Sequence, residues 1–168
     1  MSSGGAVVWL TGLPASGKST LAARIVVALG AGAVLLDSDA LRPLLAPDAD
    51  YRPAGRDEFY RRLAELAAII ARQGCVAVVA ATAPTRAQRE TARALAPRFL
   101  EVYLDVPLAE CVARDPKDLY AGARAGEISD LPGAGAPYEP PAHADVVARG
   151  GDDDAAVDQV MAALARAG

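Results

Sequence analysis

The chain has 168 residues, of which 52% are apolar, and this length and composition fit one domain with a continuous core. Its 17 basic and 21 acidic residues give a formal net charge of −4 at pH 7, which excludes a broad positive surface for a nucleic-acid backbone. No apolar stretch reaches the ~20 residues of a membrane span, and residues 1–5 lack the basic region of a signal peptide, so we expect a cytoplasmic protein without a membrane partner.

Short β-branched runs alternate along the chain with longer helical patterns. Such alternation is typical of an α/β fold in which helices cover both faces of a parallel sheet. The β-branched runs predict five strands, at residues 6–10, 33–36, 76–81, 99–104 and 144–147. The helical patterns predict helices at residues 17–29, 56–72, 85–95, 108–114 and 155–167. We therefore expect a three-layer fold built on a five-stranded parallel sheet.

Two local patterns refine the helices. In the helix over 56–72, one face carries apolar residues at helical spacing and is predicted to face the core: Leu63, Leu66, Ala67 and Ile70. At the start of the next helix, Thr85 and Gln88 have the spacing of a capping box.

The segment 126–143 has no helical or strand periodicity and is rich in glycine and proline. Its turn-forming residues are Pro132, Gly133, Gly135, Pro137, Pro140 and Pro141. Loops of this length within compact domains are usually functional lids or disordered linkers. Because a strand and a helix are predicted to follow, we favour a lid, which spans about 115–143 of a single domain over 1–168.

Residues 12–19 read G-L-P-A-S-G-K-S, the eight-residue Walker A pattern, and they lie between an apolar strand and a helix. The glycines allow the backbone N–H groups to curl around phosphates, and the helix N-terminus adds partial positive charge. Lys18 is predicted to reach the β- and γ-phosphates, and the Ser19 hydroxyl to bind Mg²⁺. The predicted nucleotide-binding set is Gly12, Leu13, Pro14, Ala15, Ser16, Gly17, Lys18, Ser19 and Thr20.

A Walker A loop is shared by ATPases, GTPases and kinases. The sequence has no N-K-x-D motif for reading guanine, and it is short for the extra modules of most motor or transport ATPases. These observations favour an ATP-dependent small-molecule kinase.

A second group of polar residues follows the strand over 33–36. Asp37 and Asp39 come where the carboxyl ends of parallel strands form a ligand crevice. Asp39 can accept the proton of an attacking hydroxyl or hold a magnesium-bound water, and Arg42 and Arg56 can bind an anionic acceptor in bidentate fashion. The alternatives are that the aspartates cap the next helix and that the arginines lie on a solvated helix face.

Several segments together carry a resemblance to a known family. They are G-L-P-A-S-G-K-S-T, L-D-S-D-A-L-R, G-R-D-E-F-Y-R-R-L-A-E-L-A, A-P-T-R-A-Q-R, F-L-E-V-Y-L-D-V-P-L-A-E-C-V-A-R-D-P-K-D-L-Y, A-R-A-G-E-I and A-P-Y-E-P-P. The first four resemble, in order, the phosphate loop and the L-D-G-D-x-x-R, D-R-x-E-N-x-R-R and S-P-Y-x-x-x-R motifs of adenylylsulfate (APS) kinases. The last three together resemble the fourth strand and the mobile lid of that family. The resemblance covers nearly the whole chain.

The resemblance implies a P-loop NTPase fold and transfer of the ATP γ-phosphate to the ribose 3′-hydroxyl of APS, giving PAPS and ADP. It implies that Lys18 and Ser19 serve ATP and magnesium, and that Asp39 is the catalytic base.

On the acceptor side, the resemblance implies that Arg42 and Arg56 hold the phosphosulfate and that Tyr51 stacks on the adenine. It also implies that Arg114 and the lid from Lys117 onward close over the nucleotides. The family's dimer further implies a homodimer, although the N-terminal extension that contributes to that dimer in several members is missing ahead of residue 6.

Four acceptor-side positions depart from the family pattern. Phe59 replaces an Asn, Leu131 replaces a lid Phe, Ser129 stands where a Lys is common, and Gly135 replaces an Asp. These departures leave open a different acceptor, for example a cytidine-diphosphate conjugate, with Phe59 and Leu131 still in the acceptor site. A non-catalytic nucleotide-binding regulator is a further alternative, which intact Lys18, Ser19 and Asp39 disfavour.

Overall fold

The computed structural model describes residues 4–48 and 50–166, in which strands and helices alternate. In chain order the elements are β1 (Ala6–Gly12), α1 (Lys18–Leu29), β2 (Ala33–Asp37), α2 (Ser38–Leu45), α3 (Pro53–Arg72), β3 (Val76–Ala80), α4 (Arg86–Leu95), β4 (Phe99–Leu104), α5 (Leu108–Arg114), α6 (Leu119–Arg124), β5 (Leu131–Pro132), β6 (Gly135–Ala136), β7 (Val146–Ala148) and α7 (Asp154–Ala165). The predicted α/β class is confirmed.

The sheet has five parallel strands, as the sequence predicts, and the structure arranges them in the order β2-β3-β1-β4-β7. Strand β1 lies at the centre, and all of its residues are buried because helices cover both faces. Leu10 is in register with Ala80 of β3 and with Val102 of β4. The carboxyl ends of neighbouring strands therefore meet at one edge, where parallel sheets bind ligands.

Helix α3 packs one face against the sheet. Leu63 and Ala67 are fully buried in the same apolar cluster as Trp9 of β1, and Leu66 and Ile70 pack at its margin, which confirms the predicted core face. The helix begins at Pro53, ahead of the predicted start, because proline in the first helical turn is already set for helix geometry. Across residues 4–48 and 50–166, no helix is both long and apolar enough to cross a membrane.

Several short helices and strands were not predicted from the sequence. Helix α2 contains Pro43 and helix α6 contains Gly122, residues that disfavour a helix and obscure its pattern in the sequence. The segment predicted as a loop over 126–143 contains the two-residue strands β5 and β6. The predicted strand over 144–147 is found at Val146–Ala148, and the last helix ends at Ala165. Ala167, at the end of the predicted last helix, lies outside the described residues.

The capping box at α4 is confirmed. The Thr85 hydroxyl accepts a hydrogen bond from the Gln88 backbone N–H at 3.3 Å, and the Gln88 side chain accepts one from the Thr85 N–H at 3.2 Å.

We expect Thr85→Ala to lower the free energy of unfolding by about 1 kcal/mol, because it leaves a first-turn N–H without its acceptor. The matched control is Thr91→Ala in the same helix, where the hydroxyl only donates to the Ala87 carbonyl at 3.0 Å. Its expected change is within about 0.5 kcal/mol. Urea denaturation measures both variants, and equal losses would contradict the capping role.

Candidate active site

The loop between β1 and α1 is formed by close backbone packing. Gly17 precedes α1 with φ 99°, and a Cβ atom there would lie 2.5 Å from the Gly151 backbone nitrogen, so only glycine fits. The Ser16 hydroxyl is fully buried and has no hydrogen-bond partner among the described residues. A buried polar atom of this kind is expected where a ligand oxygen binds.

Lys18 lies across the loop. Its ammonium donates to the carbonyls of Gly12 at 3.0 Å and Leu13 at 2.8 Å. Burial lowers the pKa of Lys18 to about 8, although the negative charge of Asp39 acts in the opposite direction. The cation is therefore held by neutral oxygens that an anionic oxygen can replace.

Asp37 connects the loop to the end of β2. One carboxylate oxygen accepts from the Ser19 hydroxyl at 2.6 Å, and the other accepts from the Asp39 backbone N–H at 3.0 Å. The second bond caps α2, so the alternative of a capping role is confirmed for Asp37. The same side chain still lines the cleft.

Asp39 stands in the first turn of α2, and 69% of its side chain is exposed. Its carboxylate forms an ion pair with Lys117, which precedes α6. The alternative of a cap is not found for this residue, because its own carboxylate contacts the lysine ammonium and Asp37 provides the cap.

The predicted acceptor-side residues form a stack. The guanidinium carbon of Arg42 lies 4.2 Å from the ring centroid of Tyr51 and 4.8 Å from that of Phe59. Tyr51 is 64% exposed and Phe59 only 1%, so the buried ring supports the arginine and the exposed ring faces outward. Arg42 also donates to the Asp50 carbonyl at 3.1 Å.

Residues of the segment predicted as a lid, 115–143, also line the cleft. Arg56 donates to the carbonyl of Asp130, the residue before β5. Leu131 is 6% exposed and belongs to the apolar core cluster, so most of its surface packs against protein atoms. Arg114 donates to Glu110 at 3.3 Å and remains half exposed.

One cleft of about 1040 Å³ collects these residues at the carboxyl edge of the sheet. Among the predicted site residues, those that line it are Pro14, Ala15, Gly17, Lys18, Ser19, Thr20, Asp39, Arg42, Tyr51, Arg56, Phe59, Arg114, Lys117 and Leu131. Gly12, Leu13 and Ser16 do not line it and form the frame of the loop instead. A cleft of this size is at the upper end of the range for small-molecule sites.

The sequence pattern described as adenylylsulphate kinase matches residues 4–149. The chain belongs to the adenylylsulphate kinase family. It is 43% identical to an adenylyl-sulfate kinase of Shewanella denitrificans, over 95% of this chain and 80% of that relative. It is also 43% identical to the bifunctional enzyme NodQ of Azospirillum brasilense, over 97% of this chain, but it spans only 27% of NodQ.

The structure agrees with the sequence match. The APS kinase CysC of Mycobacterium tuberculosis, solved in complex with AMPPNP and APS, superposes with a TM-score of 0.85 at 37% identity. The match covers 96% of this chain and 98% of that chain. The protein is therefore a phosphotransferase with the P-loop NTPase fold of the adenylylsulphate kinase family.

Several residues that line the cleft were missed in the sequence. The Tyr60 ring lies 5.3 Å from that of Phe59, and Gly151 packs against Gly17 of the phosphate loop. Thr82, Pro84 and Asp152 also line the cleft. Gly150 and Gly151 follow β7 and could have been predicted to line the cleft, because the loops after parallel strands lie at one edge of the sheet. Tyr60 gave no signal, since it reads as one more core position of α3.

The two lysines of the chain, Lys18 and Lys117, both line the cleft, and their amines have opposite pKa shifts. The hydrogen bond to Asp39 raises the pKa of Lys117, whereas burial lowers that of Lys18 to about 8. In protein labelled with ¹³C-lysine, we expect one Cε signal to titrate near pH 8 and the other above the ordinary value of 10.5.

Lys18→Arg should remove the signal that titrates near pH 8 and leave the other. If both signals titrate together near pH 10.5, the burial of Lys18 in the phosphate loop is contradicted.

Proposed function

We propose that this chain transfers the γ-phosphate of ATP to the 3′-hydroxyl of APS, with PAPS and ADP as products. The observation that carries the proposal is the single cleft in which the phosphate loop faces Asp39, Arg42 and Arg56. The family membership supports it, and so do the AMPPNP and APS bound by the M. tuberculosis relative. We propose that residues 1–168 form one kinase domain with residues 115–143 as its lid.

The donor half of the cleft fits a triphosphate. On ATP binding, the Lys18 ammonium exchanges the Gly12 and Leu13 carbonyls for phosphate oxygens, which raises its pKa and keeps it cationic. The first N–H groups of α1 face the same anion, and Thr20 lies at their side of the cleft.

The residues beside the loop also fit Mg²⁺. The Ser19 hydroxyl and the Asp37 carboxylate lie 2.6 Å apart, and Mg²⁺ prefers oxygen ligands, usually one or two from protein together with phosphates and waters. Within the described ranges, no cluster of three His, Cys, Asp or Glu side chains could hold a metal alone, which agrees with a cation shared with a nucleotide. Bound there, Mg²⁺ would neutralise charge on the phosphates.

The acceptor half fits an anionic nucleotide. Arg42 and Arg56 have guanidinium groups that bind phosphosulfate oxygens, and the exposed ring of Tyr51 offers a face for adenine. Asp39 accepts the proton of the 3′-hydroxyl as that oxygen attacks. Lys117 and Arg114 then face the nucleotide phosphates, and closure of the lid excludes water from the transferring group.

A second acceptor is supported by one observation. Phe59 and Leu131 give the acceptor half two apolar wall positions, so a polar group of the acceptor finds no hydrogen-bond partner there. The second candidate is therefore the same transfer to another nucleotide-like acceptor, such as a cytidine-diphosphate conjugate. The homodimer and the cytoplasmic location stay predictions.

Purified protein incubated with ATP, Mg²⁺ and APS should produce PAPS and ADP in equal amounts. The assay is run beside a panel of nucleotide acceptors, including cytidine-diphosphate conjugates, and Lys18→Ala is the inactive control. A preference for another acceptor would replace APS with the second candidate. Absence of acceptor-dependent ADP release from any acceptor would favour the non-catalytic regulator.

Asp39→Asn should reduce turnover by about a hundredfold or more, because an amide cannot accept the proton. ATP binding, measured by calorimetry, should persist, since the phosphate loop is untouched. Asp158→Asn on the exposed side of α7 is the matched control and should retain activity. Unchanged turnover in Asp39→Asn would remove its role as base.

A further inference from the structure

Two tyrosine hydroxyls attach the lid to the phosphate site. Near the N-terminal end of the lid, the Tyr120 hydroxyl donates to the carbonyl of Pro14 in the phosphate loop at 2.8 Å. Near the C-terminal end of the lid, the Tyr138 hydroxyl lies 2.9 Å from Oγ1 of Thr11, the residue that precedes the loop in β1. The segment 121–137 between these attachments includes the cleft wall around Asp130.

The hydrogen bond between Tyr138 and Thr11 has a defined direction. The Thr11 hydroxyl lies 2.6 Å from the Thr82 carbonyl, which can only accept, so the single hydroxyl hydrogen of Thr11 is used there. Tyr138 must therefore donate to Thr11. The result is a relay from Tyr138 to Thr11 to Thr82, and Thr82 lines the cleft.

Other contacts hold the Tyr138 ring independently of its hydroxyl. The ring stacks on Tyr103 with centroids 6.3 Å apart and planes at 17°. The buried guanidinium of Arg89 lies 5.8 Å from the ring and donates to the Glu139 carbonyl at 2.5 Å. The Glu139 N–H donates to the Pro84 carbonyl at 2.8 Å. Loss of the hydroxyl alone therefore removes the relay while the ring keeps its stacking contacts, so the C-terminal end of the lid is loosened and not released.

We propose that Tyr138 is a positioning residue whose hydroxyl ties the C-terminal end of the lid to β1 and so helps to keep 121–137 closed over the transferring phosphate. The proposal rests on the kinase function proposed above. When this attachment is lost, water competes with the acceptor. The water oxygen bonds to the γ-phosphorus, the bond to the ADP oxygen breaks, and a water proton passes to solvent.

The test is the ratio of ADP formed to PAPS formed. Wild-type protein should give a ratio close to one, and in Tyr138→Phe the rate of inorganic phosphate release, measured directly and divided by the rate of PAPS formation, should rise about fivefold. Tyr103→Phe is the matched control, because it removes the hydroxyl of the stacked partner, which lies 3.3 Å from Asp105 and outside the relay. It should match the wild type.

The middle of the relay gives a second pair of variants. Thr11→Val should reproduce the defect of Tyr138→Phe, and Thr11→Ser should restore the wild-type ratio because it keeps the hydroxyl. The double variant Tyr138→Phe with Thr11→Val should be no worse than either single variant, since one relay is lost in each case. Additive defects would overturn the relay.

Hydrogen exchange of 121–137 in the presence of Mg-ATP gives a readout that needs no acceptor. Faster exchange in Tyr138→Phe than in Tyr103→Phe supports the positioning role even if the wild type makes no PAPS. Absence of PAPS would contradict only the proposed acceptor. If the wild type makes PAPS and both Phe variants match it in product ratio and exchange, the positioning role is wrong. Should Tyr138→Phe fail to fold, the Thr11 pair decides by the same measurements.

Discussion

The parallel alignment of β1 with β3 and β4 is the constraint on which the cleft depends. It brings the phosphate loop after β1, the Thr82 segment after β3 and the strand end of β4 to one edge, and β2 adds Asp37 at the same level. Burial of β1 on both faces fixes this register.

Several charged groups of the cleft have partners within the protein. Lys18 is bound to carbonyls of its own loop, Asp39 to Lys117, and Arg56 to the lid backbone. Arg42 lies between two rings. These contacts are solvent-exposed or involve neutral oxygens, so each is modest in energy and open to exchange with a ligand. The cleft thus holds these charged groups in contacts that a ligand can replace.

The sequence alone predicted what local chemistry determines. The Walker A loop, the five strands, the capping box and the core face of α3 follow from spacing over a few residues, and Asp39 follows from its place at a strand end. Contacts between distant segments could not be predicted. The attachment of Tyr138 to Thr11, the packing of Gly17 against Gly151 and the pairing of Asp39 with Lys117 join residues far apart in the chain. Helices α2 and α6 were missed because Pro43 and Gly122 within them are residues that sequence patterns assign to turns.

The internal partners of these charges also bear on the end of a catalytic cycle. When two nucleotides leave a cleft, the arginines and lysines that held them would otherwise face only solvent. Here the loop carbonyls take back Lys18, and Asp39 takes back Lys117, so the vacated protein regains hydrogen bonds as the nucleotides depart. Under the proposed function, these internal bonds stabilise the empty cleft and so favour departure of the products, a step that often limits turnover in enzymes that close loops over their substrates.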